Sequence, residues 1–355
     1  MVNLEGLITG LHHITLVTRS EAVNRRFYTE VMGLRRVKLT VNQDDIYHRH
    51  LFYGDDRGTP GGTITFFEWP TLGEGSVGLG SPHHLAYSVR SFEALLKWRA
   101  WLHRNGVPVR GPYLRGSRIS IYLRDPDGVL LELTWLNREG LDPRYVQEAG
   151  LSPSEVEGVE PDMRLTLFNH ASPISTDQAA VGRFFEKVLG LRVNYVHPNP
   201  DDPATTVIGV GSRENADFLL YINDEGAGEG RIGAGSIHHI AVSVEDEEAQ
   251  RKILARLGDL GIPNSGIVDR FWFRSLYFRD IFGNLLEVAT RGPGYTRDEP
   301  TESLGSGLAL PPWLEPHRAR IERRLAEMDR QNPPIWPPRF REVPEPPEAT
   351  RPPPR

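Results

Sequence analysis

The octapeptide PHHLAYSV, residues 82–89, returns as IHHIAVSV at residues 237–244. The match runs on in the same register. Gly106-Val107-Pro108 falls on Gly261-Ile262-Pro263, Arg115 on Arg270, Ser120 on Ser275 and Tyr122 on Tyr277. Arg124-Asp125 falls on Arg279-Asp280, Gly128 on Gly283, and the LLEL ending at Leu133 on the LLEV ending at Val288, which sets Glu132 on Glu287. The preceding blocks repeat as well. His13, Phe27-Tyr28 and Gly33-Leu34-Arg35 are matched by His170, Phe184-Phe185 and Gly190-Leu191-Arg192. A long internal repeat of this kind means a duplicated structural unit.

Each half divides again. A strand-like apolar segment opens with a histidine, and a helix follows. Ser20 caps a helix with Val23, Phe27 and Val31 on one face, closed by Gly33. Ser91 caps another that carries Leu95, Trp98 and Leu102 and ends at Asn105-Gly106. Short alternating strands come next, as at Ile119–Leu123 and Val129–Thr134 around an Asp-Pro-Asp-Gly turn. The pattern β-α-β-β-β therefore occurs four times, predicting an α+β protein of two curved, mainly antiparallel sheets with outer helices. The expected divisions are a first domain at 8–140, a linker at 141–162 and a second domain at 163–294. An extension at 295–330 follows, with a short helix over Glu315–Arg330 bearing Ile321, Leu325 and Met328. Residues 331–355 form the tail.

Composition narrows the chemistry. The 355 residues suit two domains. With 41 Lys+Arg against 47 Asp+Glu the net charge is −6, which offers no positive field for nucleic acid or an anionic membrane. No cysteine is present, excluding disulfides, thiolate-ligated metals and thiol nucleophiles. The opening MVNLEGLITG lacks a signal-peptide pattern, and no apolar run reaches the ~20 residues of a membrane span. A cytoplasmic location is expected. Ten of the 29 prolines fall after residue 332, predicting an extended or disordered tail, with Pro334-Ile335-Trp336-Pro337 as a PxxP-like segment. Glycine-rich GTPGG at Gly58 and GAGEG at Gly226 lack the Lys-Ser/Thr ending of a phosphate loop.

Glu287 and Glu132 stand among apolar residues in strands, each with a histidine 48 residues upstream. A carboxylate so placed needs a partner, a hydrogen bond or a metal. Six candidates result: His13, His84, Glu132, His170, His239 and Glu287. Two imidazoles plus one carboxylate suit a divalent ion such as Fe(II) or Mn(II). Spacing leaves open which of the six combine. In a hairpin Tyr277 can reach the same cavity as Glu287, and Arg270 can hold negative charge. Each also reads as structure, Tyr277 as packing and Arg270 as a surface ion pair. Phe66, Phe67 and Trp69 fit a core or the wall of an aromatic pocket.

These units resemble the vicinal oxygen chelate superfamily, which includes glyoxalases, bleomycin-resistance proteins and extradiol dioxygenases. The likeness spans about residues 8–294. More narrowly, LHHITLV at Leu11, VDRFWFRSLYFRDIFGNLLEVAT at Val268 and GPGYTRDEPTESLG at Gly292 resemble hydroquinone-type ring-cleaving dioxygenases. The resemblance implies that the first unit pairs with the fourth, so that His13, His239 and Glu287 bind the metal. It implies that Tyr277, His238 and Arg270 orient substrate, move protons or stabilise charge, and that His12, Thr15, Arg270 and Tyr277 contact substrate. The expected cofactor is Fe(II), with Mn(II) as the alternative and no organic group. The expected partners are a small aromatic and O₂, and a homo-oligomer is left open. His84, Glu132 and His170 depart from the family pattern, and the sequence leaves them as either a second metal site or relics. His48, His50, His103, His197 and His317 are given no metal role. The rival readings are a glyoxalase-like isomerase or metal-dependent transferase, and a non-catalytic binder of aromatic ligands.

Overall fold

The structure is a computed structural model that describes residues 3–151, 156–199, 204–212 and 218–343. The first unit comprises β1 (Ile8–Thr18), α1 (Glu21–Arg26), β2 (Arg35–Asn42), β3 (Asp45–Gly54) and β4 (Thr63–Glu68). The second comprises β5 (His84–Ser88), α2 (Phe92–Arg104), β6 (Val109–Arg115), β7 (Arg118–Arg124) and β8 (Leu130–Leu136). Helix α3 (Pro143–Leu151) leads to the third unit: β9 (Phe168–Ser172), β10 (Ile174–Ser175), α4 (Gln178–Leu189), β11 (Arg192–Pro198), β12 (Thr206–Gly211) and β13 (Leu219–Asn223). The fourth comprises β14 (Ile237–Val244), α5 (Glu247–Asp259), β15 (Asn264–Asp269), β16 (Arg274–Arg279) and β17 (Leu285–Thr290), and α6 (Arg318–Gln331) lies beyond it.

Among the described residues the strands form two curved sheets, and each sheet draws one unit from each half of the chain. One runs β15-β16-β17-β14-β1-β4-β3-β2, the other β11-β12-β13-β9-β5-β8-β7-β6. The joins are antiparallel, β1 against β14 and β5 against β9. Unit one thus pairs with unit four, and unit two with unit three. A strand carrying one histidine ligand is laid beside a strand carrying another, which brings ligands more than 200 residues apart together in the first sheet.

The predicted caps are present. Ser20 accepts from the Val23 amide and Ser91 from the Ala94 amide. Helix α2 buries Leu95, Trp98 and Leu102 as its spacing requires, and the Trp98 indole donates to the Met163 carbonyl at 2.8 Å. The first helix differs from its pattern. After Arg26 it widens into a π-helical turn over Phe27–Val31, which buries Tyr28 beside Phe27 and Val31 and leaves Val23 only half-buried. An inserted turn shifts the buried face in a way that 3.6-residue periodicity does not register.

Two connecting segments carry more structure than their composition suggests. The 141–162 linker contains helix α3, and Lys97 ties its far end down through Glu160 and Asp162 at 2.8 and 2.9 Å. The tail is extended over 333–343 but is packed, not loose. Trp336 lies under the Arg26 guanidinium, Phe340 meets Phe27, and Val343 is buried. Apolar residues spaced among the prolines supply the burial that composition alone conceals. Residues 344–355 lie outside the described residues. Helix α6 presents Ile321, Leu325 and Met328 to Val41, Leu310 and Leu314, as its spacing predicts.

Candidate metal centre

Three side chains meet at the join of units one and four. His13 comes from β1, His239 from β14 and Glu287 from β17. The backbone register sets the meeting, since Ala241 pairs with both His13 and Glu287 and Thr15 pairs with His239. His239 Nε2 is 3.0 Å and His13 Nε2 3.3 Å from Glu287 Oε2, and the two Nε2 atoms are 3.3 Å apart. Donors held by one ion at bonds of ~2.1 Å on one face of an octahedron lie about 3 Å apart. All three are buried, and Glu287 Oε2 has no hydrogen-bond partner. An orphaned buried carboxylate oxygen between two imidazole nitrogens fits a divalent cation. Burial would raise the Glu287 pKa, but His13 and His239 outweigh it and hold the carboxyl well below its usual range. Its other oxygen, Oε1, accepts from Ser275 at 2.5 Å, which fixes the carboxylate's rotation.

The histidine pairs have a defined job. His12 Nδ1 lies 2.8 Å from His13 Nδ1, and His12 Nε2 lies 3.1 Å from the Thr290 carbonyl. That carbonyl can only accept, so the His12 proton sits on Nε2 and its Nδ1 accepts from His13. His13 Nε2 is thereby left with a lone pair for metal. His238 and His239 repeat the Nδ1 contact at 2.8 Å. Consecutive residues of a regular strand point to opposite faces, but β1 shifts register between Leu11 and His13, which lets the two rings meet. Burial, then the neighbouring ligand histidine, pushes His12 and His238 each down to about 3, so both stay neutral.

A cavity of about 250 Å³ opens over the triad. Its wall includes Tyr277, His238 and Arg270, all expected from the sequence, and Phe67 and Trp69. Tyr277 pairs directly with Glu287 across β16 and β17. Burial, then the Glu287 charge, raises its pKa, so the phenol stays protonated. Arg270 lies over the Tyr277 ring at 5.3 Å and is anchored by Asp44 at 2.7 and 3.1 Å. Phe66 packs in the core instead. His12 and Thr15 stand behind the triad and not on this wall. His12 borders a different cavity, and Thr15 bonds Thr65 at 2.7 Å.

Two contributors escaped the sequence reading. His50 lines the cavity, hydrogen-bonds Thr65 Oγ1 at 2.9 Å through Nε2, and is held neutral by burial and then by His13 and His239. Its counterpart in the third unit is Val207, so the repeat gives no signal there. Lys38 is fully buried behind Trp272, whose indole donates to Asp298. It is neutralised by Asp298 at 2.8 Å and by Glu299. The GPGYTRDEPTESLG segment therefore braces the wall: Tyr295 packs on Phe52 and Phe273 as well.

The remaining three ligands meet at the join of units two and three. His84 Nε2 is 3.0 Å and His170 Nε2 3.4 Å from Glu132 Oε2, and the two nitrogens are 3.3 Å apart.

Fold and site together define a protein of paired β-α-β-β-β modules with two-histidine, one-carboxylate clusters at the module joins. Residues 10–133 and 167–288 match the family model described as the Glyoxalase/Bleomycin resistance protein/Dioxygenase superfamily, and the chain belongs to that superfamily. It is 34% identical to "Putative ring-cleaving dioxygenase MhqA" of Bacillus subtilis (strain 168), over 90% of this chain and 98% of that one. It is 27% identical to chlorohydroquinone/hydroquinone 1,2-dioxygenase of Sphingobium indicum, over 92% and 98%. A crystal structure named "putative dioxygenase", from Bacillus subtilis subsp. subtilis str. 168, superposes with a TM-score of 0.73 at 29% identity, covering 95% of this chain and 99% of that one. Among the described residues no helix is long and apolar enough to cross a membrane.

Proposed function

We propose that the protein is a ring-cleaving dioxygenase of the extradiol type, acting on a hydroquinone- or catechol-like aromatic at the His13–His239–Glu287 centre. The observation that carries this reading is a facial two-histidine, one-carboxylate cluster opening into a cavity walled by aromatic rings. His13, His239 and Glu287 would hold Fe(II) or Mn(II), which supplies a Lewis acid for a substrate hydroxyl and a redox partner for O₂.

The chain's own residues do the rest. Phe67, Trp69, Trp272 and Phe273 offer faces and edges to a flat ring and keep water from it. Tyr277, neutral, donates its phenol proton to an oxygen of the substrate. His238, whose Nδ1 is taken by His239, presents Nε2–H as a second donor. His50, neutral and engaged at Nε2 by Thr65, keeps Nδ1 free of that contact to exchange a hydrogen bond with a substrate hydroxyl. Arg270, positioned by Asp44, places positive charge beside the Tyr277 ring where negative charge develops on the opened product.

The test is O₂ consumption by Fe(II)- or Mn(II)-reconstituted protein across hydroquinones and catechols, with isotopic oxygen traced into product. One O₂ per ring, with both atoms in the ring-opened acid, is expected. Turnover under strict anaerobiosis would point instead to an isomerase.

A further inference from the structure

We propose that His84, His170 and Glu132 form a second, independent divalent-metal site, and that its cavity takes a carboxylate-bearing aromatic diol, unlike the uncharged ring suited to the first. The first cavity's role rests on the function proposed above; the second metal site does not.

Three observations argue against a relic. The donor spacings of 3.0, 3.3 and 3.4 Å reproduce those of the first cluster, and all three side chains are buried. The carboxylate is steered in the same way, with Ser120 Oγ 2.5 Å from Glu132 Oε1 and itself bonded to Thr134 at 2.8 Å. The tautomer of His170 is also set, and His84 keeps the paired-histidine contact of the first cluster. His83 Nδ1 meets His84 Nδ1 at 2.8 Å, and Asn169 Oδ1, which can only accept, takes the His170 Nδ1 proton at 2.8 Å. His170 Nε2 is thus left with a lone pair facing Glu132, and His84 Nε2 lies 3.0 Å from the same carboxylate oxygen. A drifting remnant has no reason to keep the ligands, the orienting hydroxyl and the proton positions together.

The ligand class follows from the wall. This cavity, about 180 Å³, retains Tyr122 and Arg115 at the positions of Tyr277 and Arg270. Where the first cavity has Phe273, this one has Arg118, and where it has His50 and Phe67, this one has Val207 and Ile222. Arg118, Ser120 and Tyr122 alternate along β7 and so share a face. Arg118 lies two residues, ~7 Å, beyond the serine that holds Glu132. Its guanidinium donates to Asn169 Oδ1 at 3.2 Å and to the Tyr195 hydroxyl at 2.9 Å, both uncharged, and among the described residues no carboxylate neutralises it. A half-buried cation on the cavity wall, one strand step from the histidine–carboxylate cluster, is complementary to a carboxylate on the same ligand that the metal binds.

The experiment counts metal and measures binding, without turnover. Wild type, Glu287→Gln, Glu132→Gln and the double variant are loaded anaerobically with Mn(II), desalted and analysed for metal per chain. Two, one, one and none are expected. The Mn(II)-loaded Glu287→Gln protein is then titrated calorimetrically with 2,5-dihydroxybenzoate and with hydroquinone. The carboxylated diol should bind roughly tenfold tighter or more, the worth of one charge-assisted hydrogen bond, and Arg118→Met should erase that preference. One metal in wild type, lost on Glu287→Gln, overturns the second site even if Glu132→Gln fails to fold. Equal binding of the two diols overturns the ligand class. Two metals without any O₂ chemistry would instead overturn the function proposed for the first site.

Discussion

The two cavities share a skeleton and differ in their walls. Both clusters rest on strands paired in the same way, with Tyr277 opposite Glu287 in one sheet and Tyr122 opposite Glu132 in the other. Around them Lys38 is replaced by Tyr195, Phe273 by Arg118, His50 by Val207 and His12 by Asn169. Backbone register fixes where metal ligands point, so duplication preserved it. Wall residues are paired through their backbones as well, as His50 is with Phe67 and Val207 with Ile222, so their side chains could change without disturbing the register. Metal geometry and ligand choice are therefore separable in this fold.

The largest effect should come from the paired tyrosines. Tyr277→Phe keeps the packing and removes one donor, so hydroquinone turnover should fall ~10²–10⁴-fold with metal content unchanged. Tyr122→Phe should leave that turnover as it was. Equal losses would mean the cavities do not act separately.

Next comes the brace behind the first wall. Lys38 is fully buried between Asp298 and Glu299, which retain some exposure. Lys38→Met should cost about 3 kcal/mol, the lower end for breaking a buried ion pair, because the carboxylates left behind can rehydrate. Urea unfolding would measure it, and Tyr195→Met should cost less.

Acid sharpens the comparison further. His12, His83 and His238 are pushed from 6.5 to about 3, first by burial and then by their ligand neighbours. A depressed histidine pKa means the unfolded chain binds more protons between pH 6.5 and 3. Stability is therefore full above that window and falls as pH drops through it, by ~1.4 kcal/mol per unit for each such group. Asn169 does not titrate. His12→Asn should make the pH dependence of the unfolding midpoint shallower by one proton, and an unchanged slope would contradict the burial argument.

The smallest effect concerns a backbone position shared by both halves. Phe271 adopts φ 75° and its counterpart Gly116 φ 58°. Phe271 is held there by its backbone N–H, which donates to Asp269 Oδ1 at 2.8 Å, and by Arg297 4.1 Å over its ring. Nothing crowds a Cβ at Gly116, so Gly116→Ala should cost only the left-handed conformation, ~1 kcal/mol, read from thermal or urea midpoints.

The sequence made the ligands legible because duplication repeats them: His13, His84, His170, His239, Glu132 and Glu287 all recur at matched positions. Which of them meet follows from strand pairing across the whole chain, which spacing does not encode. His50 and Lys38 were invisible because their counterparts, Val207 and Tyr195, carry no matching chemistry. His12 and Thr15 are adjacent to candidate ligands in sequence but do not line the cavity over the triad. The strand irregularity that turns His12 toward His13 depends on packing against β14.

Of the two geometrically matched clusters, the one proposed to cleave the ring is His13–His239–Glu287. The direct measurement is O₂ uptake with hydroquinone by Fe(II)-loaded Glu287→Gln and Glu132→Gln, side by side with wild type. Uptake should vanish in Glu287→Gln and persist near the wild-type rate in Glu132→Gln. Persistent uptake in Glu287→Gln, or its loss in Glu132→Gln alone, would contradict the assignment.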